Sequence, residues 1–399
     1  MSESITSSDA RGSADTKPTR LMELAMVFGR LGILGFGGPA AHIAMMDDEF
    51  VKRRNWITHE NFLDMLGVTN LIPGPNSTEM AIHIGLVRAG WRGLIVAGIC
   101  FIAPAILLTT GFAYLYVTFG TLPRLAPLIA GIRPAIIAII LGAVIRLGKP
   151  VVKKNISSGI IGVIIAALSL AGINEIFLLF AGGVLALAWN NRNLLTRRSV
   201  PILLALLLAP LLLGVTQSVE NADPPSLTGL GLFFLKIGSI LYGSGYVLVA
   251  FLQNGLVETR HWLTQTQLLD AIAVGQFTPG PVLSTAAFIG FVLLGFPGAT
   301  VASVGIFLPS FVFVPIVSPL VGKFRSNPSV KGLLNGVNAS ALGLMLAVCA
   351  TLGISTLISP LMWLLFIAAG SAMLIWDFHP AWLVVASASV SWLATFIQI

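Results

Sequence analysis

Two Pro-Gly-Pro motifs are the residues of this sequence best suited to chemistry. Pro73-Gly74-Pro75 is followed by Asn76-Ser77-Thr78-Glu79, and Pro279-Gly280-Pro281 is followed by Ser284-Thr285. The side chains after each motif can cap a new helix. A helix N-terminus carries about half a positive charge and offers amide donors, which suits a tetrahedral oxyanion without burying full cations in lipid. We therefore predict that the two helix starts bind an anion.

Two glycine-rich breaks accompany these motifs, Gly35-Phe36-Gly37-Gly38-Pro39 and Tyr242-Gly243-Ser244-Gly245. Irregular backbone at membrane depth is tolerated only beside protein or a watery cavity, and broken helices at corresponding positions of two repeats indicate a transporter binding site. The alternative is that the proline motifs merely kink two helices for packing. The uncharged residues predicted to bind substrate are Gly37, Gly38, Pro73, Gly74, Pro75, Asn76, Ser77, Gly243, Ser244, Pro279, Gly280, Pro281 and Ser284.

A few charged residues join this candidate site. Arg30 and Lys236 each precede a glycine break and are also assigned to substrate binding, with snorkelling to the headgroups as the alternative. Arg133 is the only charge between Leu125 and Ile145, so it is either a substrate contact or a helix-end anchor. Arg133 is therefore a candidate for coupling or gating.

Two acids complete the coupling or gating candidates. Glu79 lies three residues after Asn76, which fits a capping box at least as well as a proton relay. Asp64 aligns with Asp270, and both follow polar segments where capping or loop pairing is expected. His42, alone on an apolar helix, is predicted to be a packed polar residue.

The composition requires that these residues be positioned by membrane helices. Of the 399 residues, 56% are hydrophobic and only 10% are charged, far from the norm for soluble domains. Uncharged runs such as Gly93 to Thr121 reach the length of a bilayer crossing. The net charge of +7 is carried by short loops, which excludes a nucleic-acid partner and leaves the lipid bilayer as the surroundings. We predict an all-α polytopic membrane protein.

The chain also contains a duplication. Pro73 recurs as Pro279, 206 residues later, and the same offset relates Trp56 to Trp262. The predicted organisation is a disordered cytoplasmic tail (1–20), a first repeat (21–216), an acidic external linker (217–226) and a second repeat (227–399).

Loop charges predict how the repeats are oriented. Lys52-Arg53-Arg54 is expected to be cytoplasmic like the tail, so the stretch from Leu21 to Met46 must turn back at its glycine break. The second repeat follows the external linker and starts from outside. The sequence therefore predicts two homologous repeats of inverted topology with broken or re-entrant helices, in the inner membrane and with the N-terminus in the cytoplasm.

The GFGGP break, His42, the stretch from Glu49 to Trp56 that ends in KRRNW, and the duplicated PGP resemble the chromate ion transporter family. The resemblance covers both repeats. It implies an inner-membrane carrier of two homologous domains that exports chromate and also recognises sulfate. The chromate assignment comes from this resemblance alone.

Other functions remain as alternatives: a carrier of sulfate or another tetrahedral oxyanion, an anion channel, or an intramembrane enzyme. The enzyme is disfavoured because the sequence has no ATP-binding motif, no metal cluster, no cofactor fingerprint, and only the isolated cysteines Cys100 and Cys349. We expect a secondary transporter without metal or cofactor, with the oxyanion between two rocking halves. The oligomeric state, including a homo-oligomer, is left open.

Overall fold

The computed structural model describes residues 17–36, 38–69, 72–120, 126–190, 224–242, 245–320, 328–376 and 378–394. Throughout these ranges the ordered elements are helices, which confirms the predicted all-α class. Three predicted site residues, Gly37, Gly243 and Ser244, lie outside the described residues. The same is true of 1–16 in the predicted tail and 217–223 in the predicted linker.

Seven α-helices come before the linker and seven come after it in the described chain. The first seven are α1 (Lys17–Leu34), α2 (Gly38–Met46), α3 (His59–Thr69), α4 (Asn76–Phe119), α5 (Ala126–Lys154), α6 (Ile156–Leu170) and α7 (Glu175–Asn190). The others are α8 (Leu227–Ile240), α9 (Leu248–Leu252), α10 (Gln265–Phe277), α11 (Thr285–Val317), α12 (Pro328–Thr356), α13 (Pro360–Ile375) and α14 (Pro380–Ala394). Because α1 begins at Lys17, the last four residues of the predicted tail are helical.

Four helical segments are long and apolar enough to cross a membrane: Asn76–Phe119, Pro127–Lys153, Val282–Val317 and Gly332–Thr356. Their apolar residues are numerous enough for the bilayer core, which is about 30 Å thick and takes about 20 helical residues. The remaining apolar helices are shorter, between 10 and 17 residues. The chain is therefore a multi-pass helical membrane protein in which several helices do not span the bilayer unaided.

The two longest helices each contain a reversal. In α4, Ala89 and Gly90 have non-helical backbone angles, and the backbones of Gly85 and Gly93 touch each other. Two residues eight apart in a straight helix would be separated by about 12 Å along the axis. Residues 76–88 and 91–119 therefore form a hairpin, and α11 repeats this arrangement with a reversal at Leu294 and Gly295.

The first apolar stretch also turns back on itself, as predicted. Helix α1 ends at Leu34 and α2 begins at Gly38, with the glycine break between them. Beyond α2 the chain continues through the π-helical turn Asp47–Arg53. Arg54, just after that turn, forms an ion pair with Glu23 near the start of α1. The stretch from Leu21 to Met46 is therefore not a single crossing.

Aligned positions of the two predicted repeats have the same backbone conformation. The reversals have φ of 62° at Gly90 and 63° at Gly295. The loops before α3 and α10 have φ of 51° at Asn55 and 52° at His261, both uncommon for residues other than glycine. Each loop follows a seven-residue π-helical turn, Asp47–Arg53 in one case and Gln253–Thr259 in the other. The local structure thus follows the sequence repeat.

The two halves are interleaved in the support layer, which consists of α5–α7 and α12–α14. Helix α12 packs against α5, α6 and α7, while α5 packs against α12, α13 and α14. Small residues allow close approach, as where Gly343 meets the backbone of Gly162. The hydroxyl of Ser387 donates to the carbonyl of Gly131 at 2.6 Å, again between the halves. This packing leaves no boundary at which one half could rock as a separate rigid body.

The contact between Gly85 and Gly93 predicts the effect of a single methyl group. In Gly93→Ala the new Cβ meets the carbonyl oxygen of Gly85, which belongs to the backbone and cannot move aside. We expect overpacking to reduce the unfolding free energy by about 1–3 kcal/mol. Thermal unfolding in detergent measures this change. The control Gly111→Ala, on the same helix with open space at its Cβ, should leave the midpoint unchanged.

Candidate functional site

Two reciprocal backbone hydrogen bonds bring the four breaks together. The amide of Gly74 donates to the carbonyl of Leu241 at 2.7 Å, and the amide of Gly280 donates to the carbonyl of Gly35 at 2.8 Å. Each Pro-Gly-Pro glycine therefore binds the other half at its glycine break: Gly35 is the first residue of one break, and Leu241, its counterpart at the offset of 206, directly precedes the other. Both donors have left-handed φ, 143° at Gly74 and 97° at Gly280, which glycine adopts without strain.

His42 fixes one of these contacts. Its Nε2 lies 2.8 Å from the carbonyl oxygen of Gly35, the same oxygen that accepts the amide of Gly280. The imidazole is 2% exposed and packs edge-on against Phe101. The prediction that His42 is a packed polar residue is confirmed, and its hydrogen bond holds the carbonyl that joins the two halves.

Unpartnered hydroxyl groups lie at both helix starts. The aligned side chains Thr78 and Ser284 are 0% and 1% exposed, and neither hydroxyl has a hydrogen-bond partner among the described residues. The hydroxyl of Ser77 is buried and unpartnered in the same way. Leaving buried polar groups unpaired costs free energy, so such a cluster indicates a polar ligand. A hydroxyl or a helix-start amide can donate a hydrogen bond to an anion.

Glu79 lies beside this cluster and does not form the expected capping box. The N-cap of α4 is Pro75, and no side chain caps the helix, because the amides of Thr78 and Glu79 bind the carbonyl of Pro75 instead. The Glu79 carboxyl is fully buried, and neither oxygen has a hydrogen-bond partner in the described chain. Ser310 stands next to it with its own hydroxyl unpartnered. The capping interpretation is therefore wrong.

Arg133 lies within α5 and not at its end, so it is not a helix-end anchor, and its assignment as a substrate contact or gating residue stays a prediction. Its guanidinium Nε donates to Asp270 at 3.3 Å, and the hydroxyl of Tyr116 donates to the same carboxylate at 2.9 Å. Asp270 is 5% exposed and lies within α10, so it does not cap a helix. The three side chains join α4 and α5 of the first half to α10 of the second.

Asp64, which aligns with Asp270, has different surroundings. It lines a cavity of about 460 Å³ together with His83 and Ser318, whose Nε2 and Oγ are 2.8 Å apart. The cavity reaches the surface at the exposed residues Asn55 and Thr58, beside the basic loop. At aligned positions, one acid therefore faces a cavity and the other is closed over by a tyrosine and an arginine.

The basic pair Arg30 and Lys236 has exposed side chains on α1 and α8. Lys236 interacts electrostatically with Glu175, at the start of α7. Neither observation brings the two cations to the helix starts, so their assignment to substrate binding stays a prediction.

The KRRNW segment has a structural role. Arg54 forms ion pairs with Glu23 and Glu49, and its guanidinium stacks over the ring of Trp56. The guanidinium of Arg88, next to the reversal in α4, also lies over the Trp56 ring, 4.7 Å from its centroid. These contacts tie the ends of α1, the π-helical turn and the first hairpin together.

Several of these residues could not be selected from the sequence. Ser310 and Tyr116 lie far along the chain from their acidic neighbours, and no local pattern marks them. The pair Thr78 and Ser284 carried a usable signal, because a hydroxyl recurs at the repeat offset directly after each Pro-Gly-Pro motif. The substrate-binding residues predicted from the sequence include Ser284 but not Thr78.

Comparison with known proteins gives the family. A chromate transporter family model matches residues 22–187 and 228–392. The chain belongs to the chromate transporter family. A chromate transport protein of Cupriavidus metallidurans is 35% identical to it over 84% of this chain and 83% of the relative. A probable chromate transport protein of Synechococcus elongatus is 31% identical, with 84% of each chain covered. No solved structure matches the chain.

Membership of the chromate transporter family decides the class of activity. The relatives are transport proteins, so the chain is a membrane transporter and not an enzyme. The second matched segment begins at residue 228 and the first at residue 22, which is the offset of 206 that relates the breaks.

The reciprocal hydrogen bonds predict that Gly280→Ala impairs transport. The new methyl group would lie 2.7 Å from Cβ of Ala105, at a φ of 97° that a side chain rarely adopts. Gly295→Ala is the matched control, because its φ is also positive, 63°, but its Cβ has open space. Both variants should lose about 1–2 kcal/mol of stability from backbone strain. Only Gly280→Ala should slow oxyanion flux. Equal flux in both variants would show that the contact between Gly280 and Gly35 has no role in transport.

Proposed function

We propose that the protein is a secondary transporter that exports chromate across the inner membrane, with the oxyanion bound between the two Pro-Gly-Pro helix starts. The observation that carries this proposal is the reciprocal pairing of Gly74 with Leu241 and of Gly280 with Gly35. These bonds join the interruptions of the two halves in pairs, and Gly245 of the second glycine break lies close to Val282, next to the second Pro-Gly-Pro motif, which links the two pairs. The family supports chromate as the substrate, and the relative from Cupriavidus metallidurans is a chromate transport protein.

The chemistry of the site favours a tetrahedral oxyanion. The helix starts at Asn76 and Val282 contribute amide donors and partial positive charge. The buried hydroxyls of Ser77, Thr78 and Ser284 add donors that have no other partner among the described residues. A tetrahedral dianion presents several acceptor oxygens and can satisfy donors from two directions. Hydroxyl and amide donors read shape and charge, which is why sulfate is the natural competitor.

Two contacts between the halves support the inverted topology of the repeats. Tyr116, near the far end of α4, binds Asp270 of α10, which follows the first loop of the second half. Ser318, just after α11, meets His83 in the first hairpin of the first half. In each case the far end of the long hairpin helix of one repeat lies beside the opening segments of the other. This is the arrangement expected when the N-terminus is cytoplasmic and the second repeat starts from outside.

The two aligned acids support alternating access. Asp64 faces the cavity beside the basic loop, whereas Asp270 is covered by Tyr116 and Arg133. With the basic loop in the cytoplasm, this is a site open to the inside and closed to the outside. Because the support layer is interleaved, we place the motion between that layer and the hairpins built from α1–α4 and α8–α11.

The membrane potential can drive export. Moving one elementary charge through 100 mV is worth about 2.3 kcal/mol, so a dianion gains about 4.6 kcal/mol when it leaves a cell that is negative inside. At about 1.4 kcal/mol per tenfold ratio, this sustains an outward gradient of about a thousandfold. Export therefore needs no ATP site.

Anion flux in proteoliposomes at a clamped potential tests the proposal. The purified protein should carry chromate, and inside-negative potential should accelerate exit. Ser284→Ala removes one donor, and a hydrogen bond to a charged group is worth about 1.5–3 kcal/mol, so KM for chromate should rise about tenfold or more. The control Ser303→Ala removes a buried hydroxyl that is already bonded to the carbonyl of Ala299. If the protein transports sulfate in preference to chromate, the proposed substrate is wrong. Currents too large for a carrier would indicate a channel.

Cysteine labelling tests the closed side. Val68 lies in the cavity near Asp64, and Val274 is its counterpart near Asp270. In a background with Cys100 and Cys349 replaced by alanine, Val68→Cys should react with an impermeant reagent from the inside. Val274→Cys should react slowly from the outside, and several-fold faster when Asp270→Asn weakens the closure. If Asp270→Asn does not change the labelling rate of Val274→Cys, then Asp270, Tyr116 and Arg133 do not close the outer side.

A further inference from the structure

Glu79 carries a buried carboxyl that has no cationic partner among the described residues. Its side chain is 0% exposed, and no hydrogen bond satisfies either oxygen in the described residues. The groups around it are the backbone of Gly74 and the hydroxyl of Ser310, both close to one carboxyl oxygen. None of these supplies a positive charge. In such surroundings a carboxylate is costly, and a proton on the carboxyl removes the charge.

A second titratable side chain links Glu79 to solution. His83 follows Glu79 by four residues on α4, so the two side chains lie on one face about 5–6 Å apart at Cβ. His83 is 4% exposed, its Nδ1 has no partner within the described chain, and its Nε2 lies beside Ser318. It lines the cavity that reaches the surface beside Asn55 and Thr58. His83 is therefore one helical turn from Glu79 and lines the cavity, so it is the titratable side chain between the carboxyl and solution.

This pair of titratable side chains exists in only one of the two repeats. The counterparts of Glu79 and His83 at the repeat offset are Thr285 and Ile289. The Thr285 hydroxyl is satisfied by the carbonyl of Val282 at 2.8 Å, and Ile289 cannot titrate. The backbone breaks are matched between the halves, but these side chains are not. A function that occurs once per transporter, unlike a symmetric anion cradle, fits such a difference.

We propose that Glu79 is a proton-binding site, reached through His83, and that its protonation accompanies oxyanion binding, so that one proton moves with each dianion. Each cycle then carries a net charge of −1, so at equal pH on both sides 100 mV sustains an outward gradient of about fiftyfold, instead of the thousandfold of an uncoupled dianion. This inference rests on the proposed function, since the anion site lies at the start of the helix that carries Glu79. An ionised carboxylate beside that site would repel a dianion, whereas a neutral carboxyl can donate a hydrogen bond to it. The proton joins the carboxylate to give the acid, and no bond of the oxyanion changes.

The neighbouring groups are consistent with this exchange. Tyr242, just after α8, interacts electrostatically with Glu79 and is the other titratable side chain that faces it among the described residues. Ser310 approaches from α11, and Gly74 from the Pro-Gly-Pro motif. Each can share a hydrogen bond with a protonated carboxyl, and none can neutralise a carboxylate.

Proton uptake by the purified full-length protein tests the inference. Chromate is added in weakly buffered detergent with a pH indicator, well above the pKa of hydrogen chromate so that the ligand itself carries no proton. At a pH where Glu79 is ionised in the free protein, wild type should take up about one proton per chromate bound, because linkage requires the protonated state to bind more tightly. The measurement is therefore repeated at increasing pH, and uptake should appear as Glu79 ionises. Glu79→Gln should still bind chromate without taking up a proton. In proteoliposomes, a chromate gradient should drive proton movement in wild type but not in Glu79→Gln.

Two further variants separate this role from folding. Glu175→Gln alters another buried glutamate that has an unpartnered oxygen, away from this pair at the start of α7, and should keep wild-type proton uptake. Glu79→Asp retains a carboxyl and should keep both binding and uptake. His83→Phe should slow proton movement with a smaller effect on chromate affinity.

Several outcomes would overturn the inference. Proton uptake by Glu79→Gln equal to that of wild type, or chromate binding by wild type without uptake at any pH, would do so. If Glu79→Gln does not fold, wild type decides: its chromate affinity should fall about tenfold per pH unit once Glu79 is ionised, and a flat profile would exclude the coupling. If wild type carries sulfate but not chromate, the cargo is wrong and the same measurements with sulfate test Glu79. Absence of any anion binding would overturn both proposals.

Discussion

The structure depends on a constraint of the bilayer: a helix that is broken at membrane depth exposes backbone donors and acceptors that lipid cannot satisfy. This protein has four such breaks, and it satisfies them in pairs. The amides of Gly74 and Gly280 donate to carbonyls of the opposite half, at Leu241 and Gly35. Each half therefore supplies the hydrogen-bond partner that the other half lacks, and the breaks must lie together.

Glycine and histidine make this arrangement possible. A side chain at Gly74 or Gly280 would clash with its neighbours and strain the backbone, and the hairpins close only because Gly85 and Gly93 can touch. His42 holds the carbonyl of Gly35 in place from within its own half. The ion pairs of Arg54 lie beside Arg88, at the turn of the first hairpin and not at the breaks. The site is thus built mainly from dipoles, which cost less to bury than ions.

The two halves have matching backbone conformations at the breaks but different side chains around them. We relate the matching backbone to binding and the differing side chains to access and coupling. Matched helix starts suit a symmetric oxyanion approached from both sides of the membrane. The aligned acids Asp64 and Asp270 meet a cavity in one half and a tyrosine and an arginine in the other. Glu79 has no acidic counterpart at Thr285. A transporter needs both features, because binding must be equivalent in two states while access and coupling must differ between them.

The sequence by itself determined the helical membrane class, the turn at Gly35 to Pro39, the packed role of His42 and the resemblance to the family. These follow from local patterns, namely long apolar runs, glycine and proline at helix breaks, and a repeat offset. Only the tertiary structure decided that Arg133 pairs with Asp270, that Glu79 caps nothing, and that Gly74 binds Leu241. The two pairs join residues more than a hundred positions apart in the chain. For Glu79, the capping partner expected nearby is absent. Such contacts depend on how the hairpins meet in space, and the spacing of residues along the chain does not encode that meeting.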